Sequence, residues 1–254
     1  MFYPGFTLQE AFSTPVIPIP DFVNQTRVYE LPDGQVEFVF NEYGYRSASF
    51  ESVPQEHAVI TGCSHTEGYG LPLEHTWAHR YQQLSGLPVM NLAKGSSNAE
   101  FCARNVSNWL QCHVPSIVIA QWPIPFRYTR WIDDVARFAI NSSVHEDTIF
   151  PLMLKSSDNN FWHKWTTSIL DLNHLCQQLN VPILNICLQT NDYIDQEVLN
   201  VLEQHNVELH LDMRTPEHSW IFDSGALDRQ HHSAQCNEHW AQRIHNLSLA
   251  RRAI

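Results

Sequence analysis

From about residue 56 onward, short apolar runs alternate with longer stretches of helical period, and this alternation limits the possible folds more than any other feature. The runs lie near 58–61, 88–92, 116–120, 182–188 and 207–212. Helical segments are expected near 71–85, 97–111, 130–140, 161–179, 194–205 and 233–249. Strands that are apolar throughout, separated by helices, imply a parallel sheet covered on both faces. Sites in such sheets lie at the carboxyl ends of strands, near the switch in strand order. A chain of 254 residues can bury that core as one α/β unit.

The first part of the chain reads differently. Pro4, Pro15, Pro18 and Pro20 and a lack of periodicity suggest an extended arm. Arg27 to Leu31 and Val36 to Phe40 flank Pro32-Asp33-Gly34, and Asp-Gly between alternating segments is a strong hairpin signal. The expected organisation is therefore an arm and β-hairpin over 1–55, packed on an α/β domain over 56–254.

Two distant blocks carry reactive chemistry. Gly62-Cys63-Ser64-His65 follows the β-branched run Ala58-Val59-Ile60, and Asp228-Arg229-Gln230-His231 precedes the last helical segment. A hydroxyl nucleophile, an imidazole that takes its proton and a carboxylate that holds the imidazole tautomer need not be close in sequence. Gly62 permits a sharp turn, and Ser64 opens a helix-period stretch with Leu73, Trp77, Tyr81 and Leu84 on one face. There the positive end of a helix and its free N–H groups also suit an oxyanion. Ser64-His65-Thr66-Glu67 equally fits a capping box, in which Ser64 only caps the helix. His232 competes with His231 for the imidazole role, and the Asp-x-x-His spacing favours His231.

Gly62-Cys63-Ser64-His65-Thr66-Glu67-Gly68 resembles the first block of the SGNH (GDSL-type) hydrolases, with Cys where Asp is more usual. Asn91-Leu92-Ala93-Lys94-Gly95-Ser96-Ser97-Asn98 is similar to their second block, and Asp228-x-x-His231 to their last, which continues through Leu227 to Ile244 into a terminal helix. Phe40-Asn41-Glu42-Tyr43-Gly44-Tyr45-Arg46 resembles a segment found upstream of such domains. The resemblance spans roughly residues 38–250. It implies a three-layer α/β/α sandwich of flavodoxin-like type around a mainly parallel five-stranded sheet. It also implies a serine esterase acting on a small O-acyl ester, such as a carbohydrate-linked O-acetyl group, with Ser64, Asp228 and His231 catalytic and no cofactor. The backbone N–H groups of Ser64 and Gly95 would hold the oxyanion. An O-acyltransferase using the same residues and a non-catalytic binding or structural protein on the same fold are the alternative readings.

The third block departs from the family. After Ser116-Ile117-Val118-Ile119-Ala120, where Gly-x-Asn-Asp is usual, this chain has Gln121-Trp122-Pro123-Ile124-Pro125. Gln121 is the candidate replacement for the missing side-chain donor, whose loss costs about two to three orders of magnitude in comparable enzymes. Thr190-Asn191-Asp192 mimics the motif but follows a later strand and reads as a turn.

Around these blocks, His65 is expected as a rim or hydrogen-bonding residue, and Asn98 belongs to the second block. Trp122 reads either as an aromatic wall of the cleft or as core packing. Arg127 and Arg130 suit either an anionic group or a solvated surface. The His231-His232…His239 cluster with Glu238 lacks the tight spacing of zinc sites, so no metal is expected. A formal charge of −12 argues against nucleic acid and anionic membranes as partners, leaving a small-molecule or glycan ester. No apolar run reaches membrane-spanning length, and Met1-Phe2-Tyr3-Pro4 does not resemble a signal peptide. Six cysteines without paired spacing fit reduced thiols in a cytoplasmic setting.

Overall fold

A computed structural model describes residues 6–7, 15–125, 128–132, 135–139, 160–187, 196–210, 225–229 and 231–252. The first elements are β1 (Phe6–Thr7) and the hairpin β2 (Thr26–Leu31) and β3 (Gly34–Val39), whose register pairs Leu31 with Gly34 across a Pro32-Asp33 turn. The main sheet follows. Its strands are β4 (Ala58–Thr61), β5 (Val89–Asn91), β6 (Ile117–Gln121), β9 (Ile183–Ile186) and β10 (Leu209–His210). They lie in the order β10-β9-β6-β4-β5, and every pairing is parallel. The chain leaves β4 on one side to form β5 and then crosses to the other to form β6. The switch in strand order therefore falls at the carboxyl end of β4, where Ser64 follows.

Helices cover both faces, and the strand residues alternate between them. Ala58, Ile60, Ile117 and Ile119 pack with α2 (Trp77–Ser85) and α6 (Ala234–Arg252) through Trp77, Tyr81, Trp240 and Ile244. Val59, Val118 and Ala120 pack with α3 (Ala99–Leu110), α4 (Asn160–Gln178) and α5 (Gln196–Gln204) through Phe101, Val106, Trp109, Trp165, Ile169 and Leu202. This is the three-layer arrangement the strand pattern implies. Five tryptophans, Trp77, Trp109, Trp122, Trp165 and Trp240, are among the largest fully buried side chains. At about 25 cal/mol per Å² of apolar surface, residues of this size dominate core stabilisation.

Two expectations fail. The segment near 130–140 is not helical: β7 (Tyr128–Ile132) and β8 (Val135–Ala139) pair antiparallel, and β1 adds to β8. Their aromatic and β-branched residues suit a pleated ribbon better than a helix. The helix expected over 71–85 starts only at Trp77, after a 3-10 turn at Leu73–His75. Leu73 and Leu84 are accordingly exposed, and the buried face is Trp77, Ala78 and Tyr81.

The arm and hairpin share the core of the main domain. Val16, Ile17, Val36, Phe38 and Phe40 belong to the same cluster as Val59 and Trp109. Asn105 of α3 accepts from the Ile17 N–H at 2.8 Å and donates to the Tyr45 hydroxyl, which in turn donates to the Ile17 carbonyl at 2.6 Å. The Asn41–Arg46 turn is organised by Asn41, whose side-chain oxygen accepts the N–H groups of Tyr43 and Tyr45. Among the described residues all six cysteines are free thiols, and no helix is long and apolar enough to cross a membrane.

A buried histidine on this scaffold sets an acid limit to stability. His57 lies 2.8 Å from the Pro54 carbonyl through Nδ1 and accepts the Trp109 indole N–H at Nε2. Only the neutral imidazole can do both, and burial holds its pKa below the ordinary value. The unfolded imidazole titrates near about 6.5, so below that pH the unfolded chain binds a proton that folded His57 resists. Stability should fall as pH drops below that value, and His113 and His210, shifted the same way by burial, act in the same sense. The urea unfolding midpoint should be lower at pH 5.5 than at pH 7.5. His57→Gln should flatten part of that slope, and an unchanged slope would remove His57 from the account.

Candidate active site

At the carboxyl end of β4 the chain turns sharply through Gly62 and Cys63 into α1 (Ser64–Glu67), a single helical turn. Gly62 has no alternative: a Cβ there would lie 2.3 Å from Thr66 Oγ1 and 2.7 Å from Gln121 Oε1. The helix N-cap is Cys63, so Ser64 is the first helical residue and its hydroxyl makes no capping bond. Glu67 does not reach back as a capping box requires. Its carboxylate accepts the Lys94 ammonium and the Gly95 N–H, the latter at 2.7 Å, in a pair whose side chains are 3% and 4% exposed. The capping-box reading is thereby corrected.

The Ser64 hydroxyl oxygen lies 2.8 Å from His231 Nε2. His231 Nδ1 lies 2.5 Å from Asp228 Oδ2, and the His231 backbone N–H donates to Asp228 Oδ1 at 3.1 Å. A carboxylate can only accept, so Nδ1 donates to Asp228, and in the neutral imidazole Nε2 then turns a lone pair toward Ser64. Asp228 is 7% exposed and sits in a cradle formed by Gly70, whose φ is 81° and where a Cβ would lie 2.8 Å from Asp228 Oδ1. The Tyr69 ring covers the imidazole at 5.5 Å, and burial together with the Asp228 charge holds its phenol pKa above the ordinary value. The loop that carries Gly68 and Gly70 is clamped from below. Buried Arg46 donates to the carbonyls of Gly68 and Leu71 at 2.7 and 2.8 Å.

The other singled-out residues fall into place differently. His65 stacks on His232 at 5.0 Å and lies 4.9 Å from the His231 ring, and His232 meets Trp240 edge-on at 4.8 Å. His232 is thus a packing neighbour, one layer behind the imidazole facing Ser64. Asn98 is the N-cap of α3, accepting the Phe101 N–H at 2.9 Å, rather than a ligand contact. Trp122 is fully buried and donates to Asn185 at 3.0 Å, so it is a core residue and no cleft wall. Arg127 and Thr190-Asn191-Asp192 lie outside the described residues, and Arg130 is placed only as part of β7. Among the described residues no three His, Cys, Asp or Glu side chains are grouped to hold a metal. A cleft of about 600 Å³ between β3 and α2 is lined by residues such as Glu37, Leu73 and His79 and includes none of Ser64, Asp228 or His231.

The expected oxyanion donors are also revised. Gly95 gives its N–H to Glu67, and Gln121 is locked inside the fold. The Gln121 side-chain oxygen accepts the Cys63 N–H at 3.0 Å and the Thr66 hydroxyl at 3.0 Å, while its amide donates to the Trp122 carbonyl. The demand for an acceptor beneath the Ser64 turn outweighs any outward role. Ser96, next in the chain, holds a left-handed φ of 70°, and its N–H has no partner among the described residues. The turn it belongs to docks on the site through the Lys94 N–H and Ser97 hydroxyl, both donating to the Gly62 carbonyl. Ser96 drew no attention in the sequence because a left-handed serine has no compositional signature.

Gln121→Ala should therefore act mainly on stability. It leaves the buried Cys63 N–H and Thr66 hydroxyl unsatisfied, at about 1–3 kcal/mol. A lower urea midpoint with kcat reduced less than about tenfold is expected, whereas loss of a transition-state donor would cost about a hundredfold or more.

No family model and no curated protein matches the chain by sequence. Solved structures match its fold. The psychrotrophic esterase EstA from a Pseudoalteromonas species has 13% identity and a TM-score of 0.52, the match covering 78% of this chain and 98% of that one. A structure described as a lipolytic protein of the G-D-S-L family, from Desulfitobacterium hafniense, has 12% identity and a TM-score of 0.51 over 76% and 99% of the two chains. A carbohydrate esterase whose active site displays divergent catalytic and non-catalytic binding functions has 12% identity and a TM-score of 0.50 over 78% and 67%. The chain shares the α/β fold of these three proteins.

Proposed function

We propose that the chain is a serine esterase that releases a small acyl group, such as a carbohydrate-linked O-acetyl, through an acyl-enzyme on Ser64. The observation that carries this reading is the unbroken hydrogen-bond chain from Ser64 through His231 to Asp228. Ser64 Oγ attacks the ester carbonyl carbon as its proton passes to His231 Nε2, and Asp228 holds the imidazolium that forms. The same proton then goes to the departing alkoxide. Water, deprotonated by Nε2, attacks the acyl-enzyme carbonyl; as the bond to Ser64 Oγ breaks and the acid leaves, Nε2 returns that proton to Ser64 Oγ. The tetrahedral oxyanion faces the N–H groups of Ser64 and Ser96, which have no other partner among the described residues. With Gln121 occupied elsewhere, no side-chain donor is assigned, and turnover should be modest.

The occupied Gln121 and Gly95 favour one second reading, a non-catalytic binding protein on the same fold. Hydrolysis of p-nitrophenyl acetate, butyrate and octanoate and of an O-acetylated xylo-oligosaccharide separates the two. The esterase reading expects turnover that falls with acyl length. A preference for octanoate overturns the small-acyl assignment, and no hydrolysis of any ester favours the binding protein.

A further inference from the structure

Asp228 sits in the middle of a short loop whose two flanking residues are both held by the β2–β3 hairpin turn. On one side, Leu227 gives its N–H to the Gly70 carbonyl and accepts the Asp33 N–H, each at 3.0 Å. On the other, the Arg229 guanidinium meets the Asp33 carboxylate with both ends, Nε to Oδ2 at 2.8 Å and Nη2 to Oδ1. Arg229 holds a left-handed φ of 57°, a conformation that a long side chain disfavours and that needs outside support. Nothing in the stability of the fold requires the pair. Its side chains are 65% and 43% exposed, and exposed pairs contribute little to folding.

We propose that Asp33 is a positioning residue for the reaction at Ser64. Through Arg229 it latches the Asp228–His231 loop to the N-terminal hairpin and keeps the imidazole aligned on the nucleophile. The proposal rests on the esterase reading for its kinetic effect, but its structural part does not. The hairpin is thus part of the active-site scaffold, and a single turn residue, 196 positions from Arg229 in sequence, sets the carboxylate. The hydrogen bond from the Arg229 guanidinium holds the Asp33 carboxyl below its ordinary pKa, so the pair stays ionised to lower pH than a free carboxylate would.

The test uses the full chain with Asp33→Asn, Arg229→Gln and the charge swap Asp33→Arg/Arg229→Asp. Asn at 33 retains the backbone bond to Leu227. Three quantities are read: kcat and KM for p-nitrophenyl acetate, the rate of fluorophosphonate labelling at Ser64, and the downfield proton signal of His231 Nδ1–H. Each single variant should lower kcat and labelling rate by about tenfold with KM little changed, because misalignment rather than binding is lost. The unfolding midpoint should not move, the Nδ1–H signal should broaden, and the swap should recover most of the rate. Wild-type labelling rates in the single variants, or a rise in KM alone, overturn the latch. If the wild type itself fails to label, the esterase reading falls, and the Nδ1–H signal still decides the latch. A sharp signal in Asp33→Asn rejects it, and a broadened one supports it.

Discussion

Ser64→Ala should reduce kcat for ester hydrolysis by about a millionfold, the scale seen when a serine nucleophile is removed from a working triad. The protein should remain folded. The N-cap of α1 is Cys63, so the substitution removes no cap, and the one hydrogen bond described for the hydroxyl is to His231. An unfolding midpoint close to wild type, measured beside the lost activity, separates chemistry from stability. A well-folded variant that keeps even one per cent of turnover would place the nucleophile elsewhere.

Asp228→Asn carries the second largest expected effect. The carboxamide is nearly the same size and can still accept the His231 N–H through its oxygen, so the loop should keep its shape. Its NH₂ group then faces Nδ1 and forces the proton of the imidazole onto Nε2, the atom that must accept from Ser64. A fall of about ten-thousandfold in kcat is expected, with KM changed far less. Activity above that level would mean that the imidazole keeps its tautomer without Asp228.

Much of the scaffold was legible in the sequence because the parallel sheet writes itself as continuous apolar runs. Ile117 to Ala120 read as a buried strand, and all four residues are fully buried between two helical layers. The Asp33-Gly34 turn signal placed the β2–β3 hairpin for the same local reason. What failed depended on partners far away in the chain. Trp122 looks like a cleft aromatic until Asn185, 63 residues later, is seen to hold its indole inside the core. Gln121 looks like a strand-end donor until the Cys63 N–H and Thr66 hydroxyl are seen to need its oxygen. Asn98 carried a readable signal, since Asn before a helix is a preferred cap, and that signal was outweighed by its place in the second block. The Ser64 turn ended sooner than its periodicity suggested because Gly68 and Gly70 both take positive φ. The Asp33–Arg229 pair has no sequence signature at all: neither residue type nor spacing links a hairpin turn to a loop at the far end of the chain.

The central claim is that Ser64 is an activated nucleophile, and covalent trapping tests it without knowledge of the natural ester. The full chain is incubated with a fluorophosphonate probe at pH 8, digested and mapped by mass spectrometry. The account predicts one phosphonyl adduct, on the peptide that carries Ser64, absent from Ser64→Ala and formed at least about a hundredfold more slowly in His231→Ala. An unlabelled protein, or an adduct on any other residue with Ser64 unmodified, would contradict it.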